Sequence, residues 1–430
     1  MPLHYGKRYR FSVFTLSLVW WLVSNASVSA ATFSVAPGGN DHNPGTATRP
    51  WATLQHAADV AAPGDVVIVQ PGTYVGAKFS RSGTPNAPIF FHGKAGAVIS
   101  APGPRNTNRD NLWIRDADYI TLEGFEVTGA PRAGIAIQGE PEVPATGNVI
   151  WNNFCHHNGR WGIFTGYAQN VLIQENETSF STSEHGIYVS NSADNPVIKE
   201  NVSHHNRACG IQLNADPQLP GDKIISNAVV EANVVYENGL GGGAAINLAS
   251  IRSSIFRNNL LYANHAGGIA GWDDGAGKQW GTKNNKFLNN TIVMATAGRF
   301  ALSLKNGSTG NAVKNNILFH PGTRGSIEID QSSLSGLLSD YNIVVNRFSF
   351  RDAFISFAQW RAKGYDPHSR LETNGTKLFV NAAGGDYHLA SGSPALNTGV
   401  TVPRVTDDLD GRSRPQGPRY DIGAYEAPAP

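Results

Sequence analysis

The chain is poor in cysteine and has almost no excess of charge of either sign. Among its 430 residues are two cysteines, Cys155 and Cys209, and 34 basic residues stand against 33 acidic ones. Two isolated cysteines do not make the disulfide framework of small secreted domains. A balanced charge also gives no sign of the basic surface that would bind nucleic acid or a membrane. The composition therefore excludes a disulfide scaffold and predicts no nucleic-acid partner.

The N-terminal apolar run is too short to be a membrane anchor. Phe11–Val23 follows three basic residues and precedes the small-residue motif Val28-Ser29-Ala30. A helix that spans a membrane needs roughly 20 apolar residues, so this pattern predicts a signal peptide over residues 1–30. We expect a secreted or periplasmic protein with no membrane attachment after cleavage. Cleavage removes three basic residues and leaves 31 basic and 33 acidic residues, a net charge of −2.

What the chain does have is asparagine at a regular interval. Eight asparagines recur every 23 to 32 residues, usually between apolar positions, at Asn153, Asn176, Asn201, Asn233, Asn259, Asn290, Asn316 and Asn342. Units of this length hold two or three short strands and cannot bury an apolar face alone, so they must stack. Stacked coils place equivalent residues about 4.8 Å apart, where asparagine amides hydrogen-bond in a ladder. The sequence predicts an all-β, right-handed parallel β-helix in which the repeated asparagine is structural.

The two ends of the chain differ from the repeats. Apolar residues between Trp51 and Ala61 mark one face of a short helix, with Pro50 in its first turn. Such a helix would cover the open end of the first coil, as terminal repeats must. A second short amphipathic helix is predicted around Trp360. We assign the mature chain to three parts: an N-terminal cap and first coil (31–87), β-helix coils (88–346) and a C-terminal capping segment (347–430).

Both ends also resemble a known superfamily. Val35-Ala-Pro-Gly-Gly-Asn, Trp51-Ala-Thr-Leu-Gln and Pro71-Gly-Thr-Tyr are similar to the start of secreted β-helix proteins related to polysaccharide lyases. Gly392-Ser-Pro-Ala and Asp421-Ile-Gly-Ala-Tyr-Glu are similar to the closing segment of those proteins. The resemblance covers most of the mature chain and implies the β-helix fold. It does not choose a reaction, because lyases, hydrolases, epimerases and non-catalytic proteins share this scaffold.

Two coils carry insertions. Their asparagine intervals are 32 and 31 residues, against 23 to 26 elsewhere. The first insertion lies between Asn214 and Lys223, and the second lies between Trp272 and Thr282. Both follow the equivalent strand of their coil, so we expect them on the same side of the solenoid, two coils or about 10 Å apart. The sequence predicts that they flank a groove over the coil that contains Asn247.

Alternation along the strands predicts which side chains face this groove. If Ile211 and Leu213 point inward, their neighbours Gln212 and Asn214 point outward. Aromatic rings stack on sugar faces and amides bind hydroxyl groups, so a strip of this kind suits a polysaccharide. We expect a monomer that binds an extended sugar chain. The predicted substrate-binding residues are Tyr188, Gln212, Asn214, Asn247, Trp272 and Trp280.

Charged residues in the same region suggest a reaction. β-Elimination on a uronic-acid polymer needs a base for the C5 proton and a positive group for the adjacent carboxylate. Lys278 or Lys305 would be the base, while Asp216, Asp273 and Asp274 would hold a Ca²⁺ that bridges to the substrate. The superfamily resemblance implies a basic residue paired with such a calcium cluster. We predict a polysaccharide lyase with Lys278, Lys305, Asp273 and Asp274 as candidate catalytic residues.

Three alternatives stay open. Asn214-Ala-Asp216, Asp273-Asp274 and Ser303-Leu304-Lys305 resemble polygalacturonase motifs, but an extra coil separates the first two and no Gly-His-Gly follows them. A glycoside hydrolase would pair Asp216 with Asp273 or Asp274 and would not need calcium. A C5-epimerase would use nearly the same site as a lyase. A non-catalytic carbohydrate-binding solenoid would depend on the aromatic residues of the strip and not on its carboxylates.

Overall fold

The computed structural model describes residues 30–428. The predicted signal peptide, residues 1–30, lies outside this range apart from its last residue. Within the range, successive coils contribute strands to three twelve-stranded sheets, which we name sheets A, B and C in the order in which the chain visits them within a coil. No helix between residues 30 and 428 is long and apolar enough to cross a membrane.

The strands of the three sheets are short and evenly spaced along the chain. Sheet A comprises Thr32–Val35, Val66–Val69, Ile89–Gly93, Ile120–Glu123, Val149–Trp151, Leu172–Gln174, Val197–Lys199, Val229–Glu231, Ile255–Arg257, Lys286–Leu288, Ala312–Lys314 and Leu338–Asp340. Sheet B comprises Gly72–Val75, Ala97–Ala101, Glu126–Thr128, Phe154–His156, Glu177–Ser179, Val202–His204, Val234–Tyr236, Leu260–Tyr262, Thr291–Val293, Ile317–Phe319, Ile343–Val344 and Arg370–Leu371. Sheet C comprises Ala77–Phe79, Leu112–Arg115, Ala133–Gln138, Trp161–Gly166, Ile187–Ser190, Ile211–Asn214, Ala244–Ala249, Gly267–Trp272, Leu302–Leu304, Ile327–Ile329, Phe348–Phe350 and Ala353–Ile355.

The chain also forms short strand pairs and short helices outside these sheets. Ala145–Thr146 pairs with Ala168–Gln169, Ile225–Ser226 pairs with Ile251–Arg252, and Phe379–Asn381 pairs with Asp386–Leu389. Short 3₁₀ helices span Lys278–Trp280, Gln331–Ser333 and Ala382–Gly384. Three α-helices span Leu54–Val60 (α1), Phe357–Arg361 (α2) and Gly375–Leu378 (α3).

The core is one apolar column inside the coils. Most strands of sheet A have three residues and bury the middle one, as Ile150, Ile173 and Val230 do at 0% exposure. Neighbouring strands pair in parallel and in register, so each buried side chain stacks on its equivalent in the next coil. Burial of this kind stabilises the stack by about 25 cal/mol per Å² of apolar surface. The predicted all-β parallel β-helix is confirmed.

The asparagine ladder lies at the turn between sheets A and B. The side-chain amides of Asn153 to Asn342 bond from coil to coil at 2.9 to 3.2 Å. The members are buried, and each oxygen also accepts from the backbone N–H of the preceding member, as Asn259 does for Asn233 at 3.1 Å. A buried turn leaves backbone groups without partners unless a side chain supplies them. The predicted structural role of the repeated asparagine is confirmed.

A second asparagine ladder lies between sheets B and C. Asn206 donates to Asn238 at 3.0 Å, and Asn238 donates to Asn264 at 3.1 Å. The sequence analysis did not separate this series from the first one. It holds the chain in place directly before the strands of sheet C.

Helix α1 covers the start of the solenoid, although it begins later than predicted. Thr53 caps its N-terminus by accepting from His56 N at 3.1 Å, so Pro50 lies outside the first turn. Gln55 donates to Lys78 O at 3.0 Å and accepts from Lys78 N at 2.9 Å. These two bonds replace a neighbouring strand at the edge of sheet C, which satisfies the exposed backbone of that edge.

The C-terminal segment covers the last coil and then runs back along the side of the solenoid. Its first part covers the last coil, where Trp360 of α2 is fully buried and stacks on Phe348 at 4.8 Å. The later part runs back along the turn between sheets A and B, where Asn315 donates to Val400 O at 2.7 Å and Asn258 donates to Asp407 O at 2.8 Å. Only the beginning of the segment 347–430 therefore caps the end of the solenoid.

Candidate functional site

The outward side chains of sheet C form one row along the solenoid. Strand register places Tyr188 beside Gln212, Gln212 beside Asn247, Asn247 beside Ala270, and then Ser303 and Glu328 in turn. Their neighbours Ile211 and Leu213 point into the core at 0% exposure. Gln212 and Asn247 are nevertheless buried, and Asn247 Nδ2 donates to Gln212 Oε1 at 2.8 Å. The predicted alternation is confirmed.

A cavity of about 540 Å³ opens on this face of sheet C. Its floor includes the small residues Gly267 and Ala270. The full lining is Gly243, Asn247, Gly267, Ala270, Gly271, Trp272, Arg299, Phe300, Ser303, Lys305, Asn306, Arg324 and Glu328. The cavity includes Asn247, as predicted, but it extends towards the C-terminal coils and not over the space between the two insertions.

The cavity has a positive charge balance. Arg299, Lys305 and Arg324 line it, and Glu328 is the one carboxylate among its described lining residues. Glu328 accepts from Lys305 Nζ at 2.8 Å and from Ser303 Oγ at 2.7 Å. Neither arginine makes an ion pair with any residue between 30 and 428. Two cations are therefore available to a negatively charged ligand.

The two insertions meet beside the cavity. Asn214 Nδ2 donates to Asp274 Oδ2 at 2.9 Å, and Lys223 Nζ lies 5.8 Å from the centre of the Trp280 ring. The expectation that the insertions flank an open groove is therefore wrong. They touch because the strand between them presents only the small side chain of Ala249 at this register, over which the longer side chains reach.

Asp216 and Tyr188 form a half-buried polar pair next to this loop contact. The Tyr188 hydroxyl donates to Asp216 Oδ2 at 3.1 Å, and Ser190 Oγ donates to the same oxygen at 2.7 Å. Burial raises the pKa of Asp216, and the charge of Asp274 raises it further. Burial, followed by the charge of Asp216, raises the pKa of Tyr188. This pair holds a carboxyl group with an increased tendency to carry a proton.

The Asp273 carboxylate accepts hydrogen bonds that stabilise the second insertion. Its Oδ1 accepts from Gly275 N at 3.1 Å and from Asn306 Nδ2 at 2.8 Å, while its Oδ2 accepts from Gly277 N at 3.0 Å. Both oxygens therefore hold the loop in shape. In the part of the chain that the structure describes, no group of three or more His, Cys, Asp or Glu side chains could hold a metal ion.

The calcium prediction consequently lacks its ligand set. Asp216 and Asp274 lie close together, and both touch Asn214. Asp273 does not join them, and the predicted three-aspartate arrangement is not assembled. Calcium dependence stays a prediction that a chelator would test.

The cavity gathers three of the residues predicted from sequence, namely Asn247, Trp272 and Lys305. Lys278 lies outside it, exposed on the 3₁₀ turn of the second insertion. The predicted residues Tyr188, Gln212, Asn214, Asp216, Asp274 and Trp280 lie along the same face but do not line the cavity. The two candidate lysines are therefore in different surroundings.

The sequence analysis missed Arg299, Arg324 and Phe300. A usable signal was present, because each arginine comes three residues before the inward residue of its sheet C strand, Leu302 or Ile327. Earlier coils have Arg132 and Arg160 at the same offset from inward isoleucines. These arginines lie before the strands, whereas the predicted residues lie on the strands or in the loops that follow them.

Comparisons with known proteins agree with the fold. A family model described as a Pel9A-like, right-handed beta helix region matches residues 33–186. The uncharacterized protein YwoF of Bacillus subtilis (strain 168) is 25% identical over 448 residues, which cover 86% of this chain and 93% of that protein. Pectate lyase L of Dickeya chrysanthemi is 24% identical over 303 residues, covering 58% of this chain and 69% of that protein.

A solved structure extends the similarity over nearly the whole chain. The crystal structure of pectate lyase Pel9A has a TM-score of 0.67 at 17% identity and covers 93% of this chain and 97% of that chain. Similarity at this level of identity establishes architecture and leaves the reaction to be argued from the site. The protein folds as a right-handed parallel β-helix, and part of its sequence is similar to a Pel9A-like β-helix region and to a pectate lyase.

Proposed function

We propose that this protein is an exported polysaccharide lyase that cleaves a uronic-acid polymer by β-elimination in the sheet C cavity. The observation that carries the proposal is the charge of the cavity, where Arg299, Lys305 and Arg324 face a single carboxylate, Glu328. Elimination develops negative charge on the uronate carboxylate, and fixed cations stabilise charge where it develops. The similarity to proteins named as pectate lyases supports this choice.

Arg299 and Arg324 would bind the carboxylate of the sugar that reacts. Their lack of ion-pair partners within residues 30–428 leaves their donors available, and a guanidinium group binds a carboxylate through two parallel hydrogen bonds. Trp272 and Phe300 would contact the apolar face of the sugar, while Asn247 and Asn306 would bind its hydroxyl groups. This arrangement would hold the C5 hydrogen near Lys305.

Lys305 is the proposed base. In the step, Lys305 first gives its own proton to water and then, as a neutral amine, removes the C5 proton. The electron pair forms the C4–C5 double bond, and the C4–O bond breaks. The departing oxygen takes a proton from water, and the product is an unsaturated sugar. Glu328 positions the lysine through its 2.8 Å contact, and Ser303 holds Glu328 by donating to it at 2.7 Å. Lys278 has no place in this step, because it lies outside the cavity.

A second candidate function rests on Asp216 and Asp274. A glycoside hydrolase needs one carboxyl group that keeps its proton and another that is ionised. Burial and the charge of Asp274 both raise the pKa of Asp216, which favours the protonated form that a general acid needs. Asp216 would then be the acid and Asp274 the base, on a chain that passes over the joined insertions.

One experiment separates these readings. The mature protein is mixed with pectate, alginate, hyaluronan, chondroitin and glucuronan, with Ca²⁺ and with chelator, and both ultraviolet absorbance and reducing ends are recorded. Absorbance from an unsaturated product on one polymer supports the lyase and identifies the substrate. Reducing ends without that absorbance support the hydrolase. Neither signal on any polymer contradicts both, and favours an epimerase or a non-catalytic binding protein.

A further inference from the structure

A second cavity lies at the C-terminal end of sheet C. It has a volume of about 510 Å³, and its lining residues are Gln331, Leu334, Ser335, Phe350, Arg351, Lys363 and Tyr365. None of these residues lines the first cavity. The lining that the structure describes contains two cations and no carboxylate. The second cavity is therefore also a positively charged one.

The two cavities lie near neighbouring strands at the C-terminal end of sheet C. Leu304 pairs with Ile329, and Ile329 pairs with Phe350, in the register of sheet C. Lys305 follows Leu304 and Arg351 follows Phe350, so these cations leave sheet C at equivalent chain positions, two strands apart. Two strand spacings amount to about 10 Å. An extended chain that passes through the first cavity towards the C-terminal end would therefore reach the second.

The cations of the second cavity converge on one ring. The Arg351 guanidinium carbon lies 5.1 Å from the centre of the Phe350 ring, and Lys363 Nζ lies 4.7 Å from it. Like charges beside the same ring repel each other. Within residues 30–428 neither cation makes an ion pair that would offset this repulsion. A bound anion would offset it, and the ring limits the freedom of both side chains before the anion arrives.

Nearby carboxylates have other partners. Asp330 accepts from Asn306 N at 2.9 Å and from Ser332 Oγ at 3.0 Å, and these bonds hold the following turn. Asp352 Oδ1 lies 3.9 Å from Lys305 Nζ. The second cavity is thus left without a protein anion at its cations.

The capping helix builds part of this cavity. Lys363 and Tyr365 follow α2 directly, and the Tyr365 ring stacks on buried Trp360 at 4.8 Å. Burial of Trp360 at 0% exposure holds this segment against the last coil. The element that closes the apolar core therefore also places Lys363 at the Phe350 ring, near which Arg351 also lies.

We propose that the second cavity is a distal subsite, in which Arg351 and Lys363 bind the carboxylate of a uronate residue further along the same polymer. The inference rests on the proposed function, since it takes the same class of substrate. It predicts that affinity depends on chain length. An oligomer too short to reach Arg351 would gain nothing from the subsite, whereas a longer one would bind both cavities and lose less entropy for the second contact.

The test compares two double variants in a Lys305→Ala background, which keeps the oligomers from being consumed. R351Q/K363Q removes the cations of the subsite, and R370Q/K377Q removes one arginine and one lysine that are exposed outside both cavities. Affinity for a uronate trimer and an octamer of each polymer in the panel is measured by calorimetry. We expect the octamer to bind about tenfold more tightly than the trimer in the parent and in R370Q/K377Q, and equally in R351Q/K363Q.

A second readout does not depend on cleavage. Lysine acetylation of the parent protein is followed by mass spectrometry with and without each octamer, with Lys377 as the internal reference. Protection of Lys363 supports the subsite even if no polymer is cleaved, in which case the lyase proposal alone fails. Cleavage without protection and without length dependence overturns the subsite and leaves the lyase standing. If no octamer in the panel protects Lys363, the subsite is overturned.

Discussion

Asn214 and Asp274 join two loops that belong to coils separated by a third. The hydrogen bond from Asn214 Nδ2 to Asp274 Oδ2 measures 2.9 Å and crosses a separation of 60 residues in the chain. The strand between them presents Ala249 at this register, and its small side chain lets the contact pass. This contact turns two separate insertions into one structure beside the cavity.

Removing the contact should loosen both loops and change the titration of Asp216. In Asp274→Ala we expect faster hydrogen exchange in residues 216–223 and 273–280, with the coils unaffected. We also expect the pKa of Asp216 to fall, because the charge of Asp274 contributes to raising it. Exchange is measured by mass spectrometry and the pKa by NMR titration. Asp222→Ala is the control, and an unchanged Asp216 pKa in Asp274→Ala would contradict the assignment.

The two candidate lysines should behave differently. Lys305→Ala should lower kcat about a hundredfold to ten-thousandfold, the range that a positioned base contributes. Lys278→Ala should retain activity, because Lys278 is exposed outside the cavity. Initial rates on the polymer identified in the panel decide between them, with thermal melting to show that both variants fold. Equal losses in the two variants would remove Lys305 from its proposed role.

The arginines of the cavity should affect transition-state stabilisation. We expect Arg299→Gln and Arg324→Gln each to lower kcat/KM by about a hundredfold, since each removes a charged donor aimed at developing negative charge. Lys286→Gln is the matched control, since it removes an exposed charge on sheet A. The measurement is kcat/KM at several salt concentrations. Losses no larger than in the control would place the uronate carboxylate elsewhere.

The asparagine ladder should be a major contributor to stability. Asn233 accepts two bonds from Asn201 and donates to Ile198 O at 2.9 Å and to Asn259 at 3.0 Å. Asn233→Ala leaves several buried groups unpaired and should lower the free energy of unfolding by about 3 kcal/mol. The exposed Asn40→Ala should change it by less than about 1 kcal/mol. Denaturant unfolding measures both, and equal effects would show that the ladder adds little.

Asp110 should make stability depend on pH. It is fully buried, and burial raises its pKa from 3.8 to about 6 although Arg132 opposes the shift. The folded state therefore binds the Asp110 proton more tightly than the unfolded state, and the stability that this group contributes is lost as pH rises from about 4 to about 6. Its contribution over this window is about 3 kcal/mol. As pH rises through this window, the parent should lose stability relative to Asp110→Asn, which has no carboxyl group to ionise at this position. Parallel stability curves would contradict this assignment.

Some of the site followed from local patterns. Alternation placed Asn247 and Lys305 on the outward face of sheet C, and both line the cavity. The repeat interval likewise placed the asparagine ladder at a turn. These inferences hold because strand period and coil stacking are properties of short segments, and each coil repeats the same constraints as its neighbours.

Other parts of the site depended on distances across coils. Asp273 was expected beside Asp274 and Asp216, yet it turns into its own loop and bonds Gly275, Gly277 and Asn306. Arg299 and Arg324 lie before their strands, at positions that strand alternation does not cover. Their meeting with Lys305 in one cavity depends on how far each turn projects and on the small residues of the floor.

The sequence by itself determined that the chain stacks into a parallel β-helix, that its asparagines form a ladder and which strand residues face outward. Each of these results follows from a period of two or from the repeat length, and both can be counted along the chain. Only the tertiary structure decided that the insertions touch, that Lys305 and not Lys278 lines the cavity and that Arg351 and Lys363 share a second one. Those outcomes depend on loop shape and on contacts between residues of different coils. The repeat length determines where a loop begins along the chain, but it does not determine where the loop's side chains lie in space.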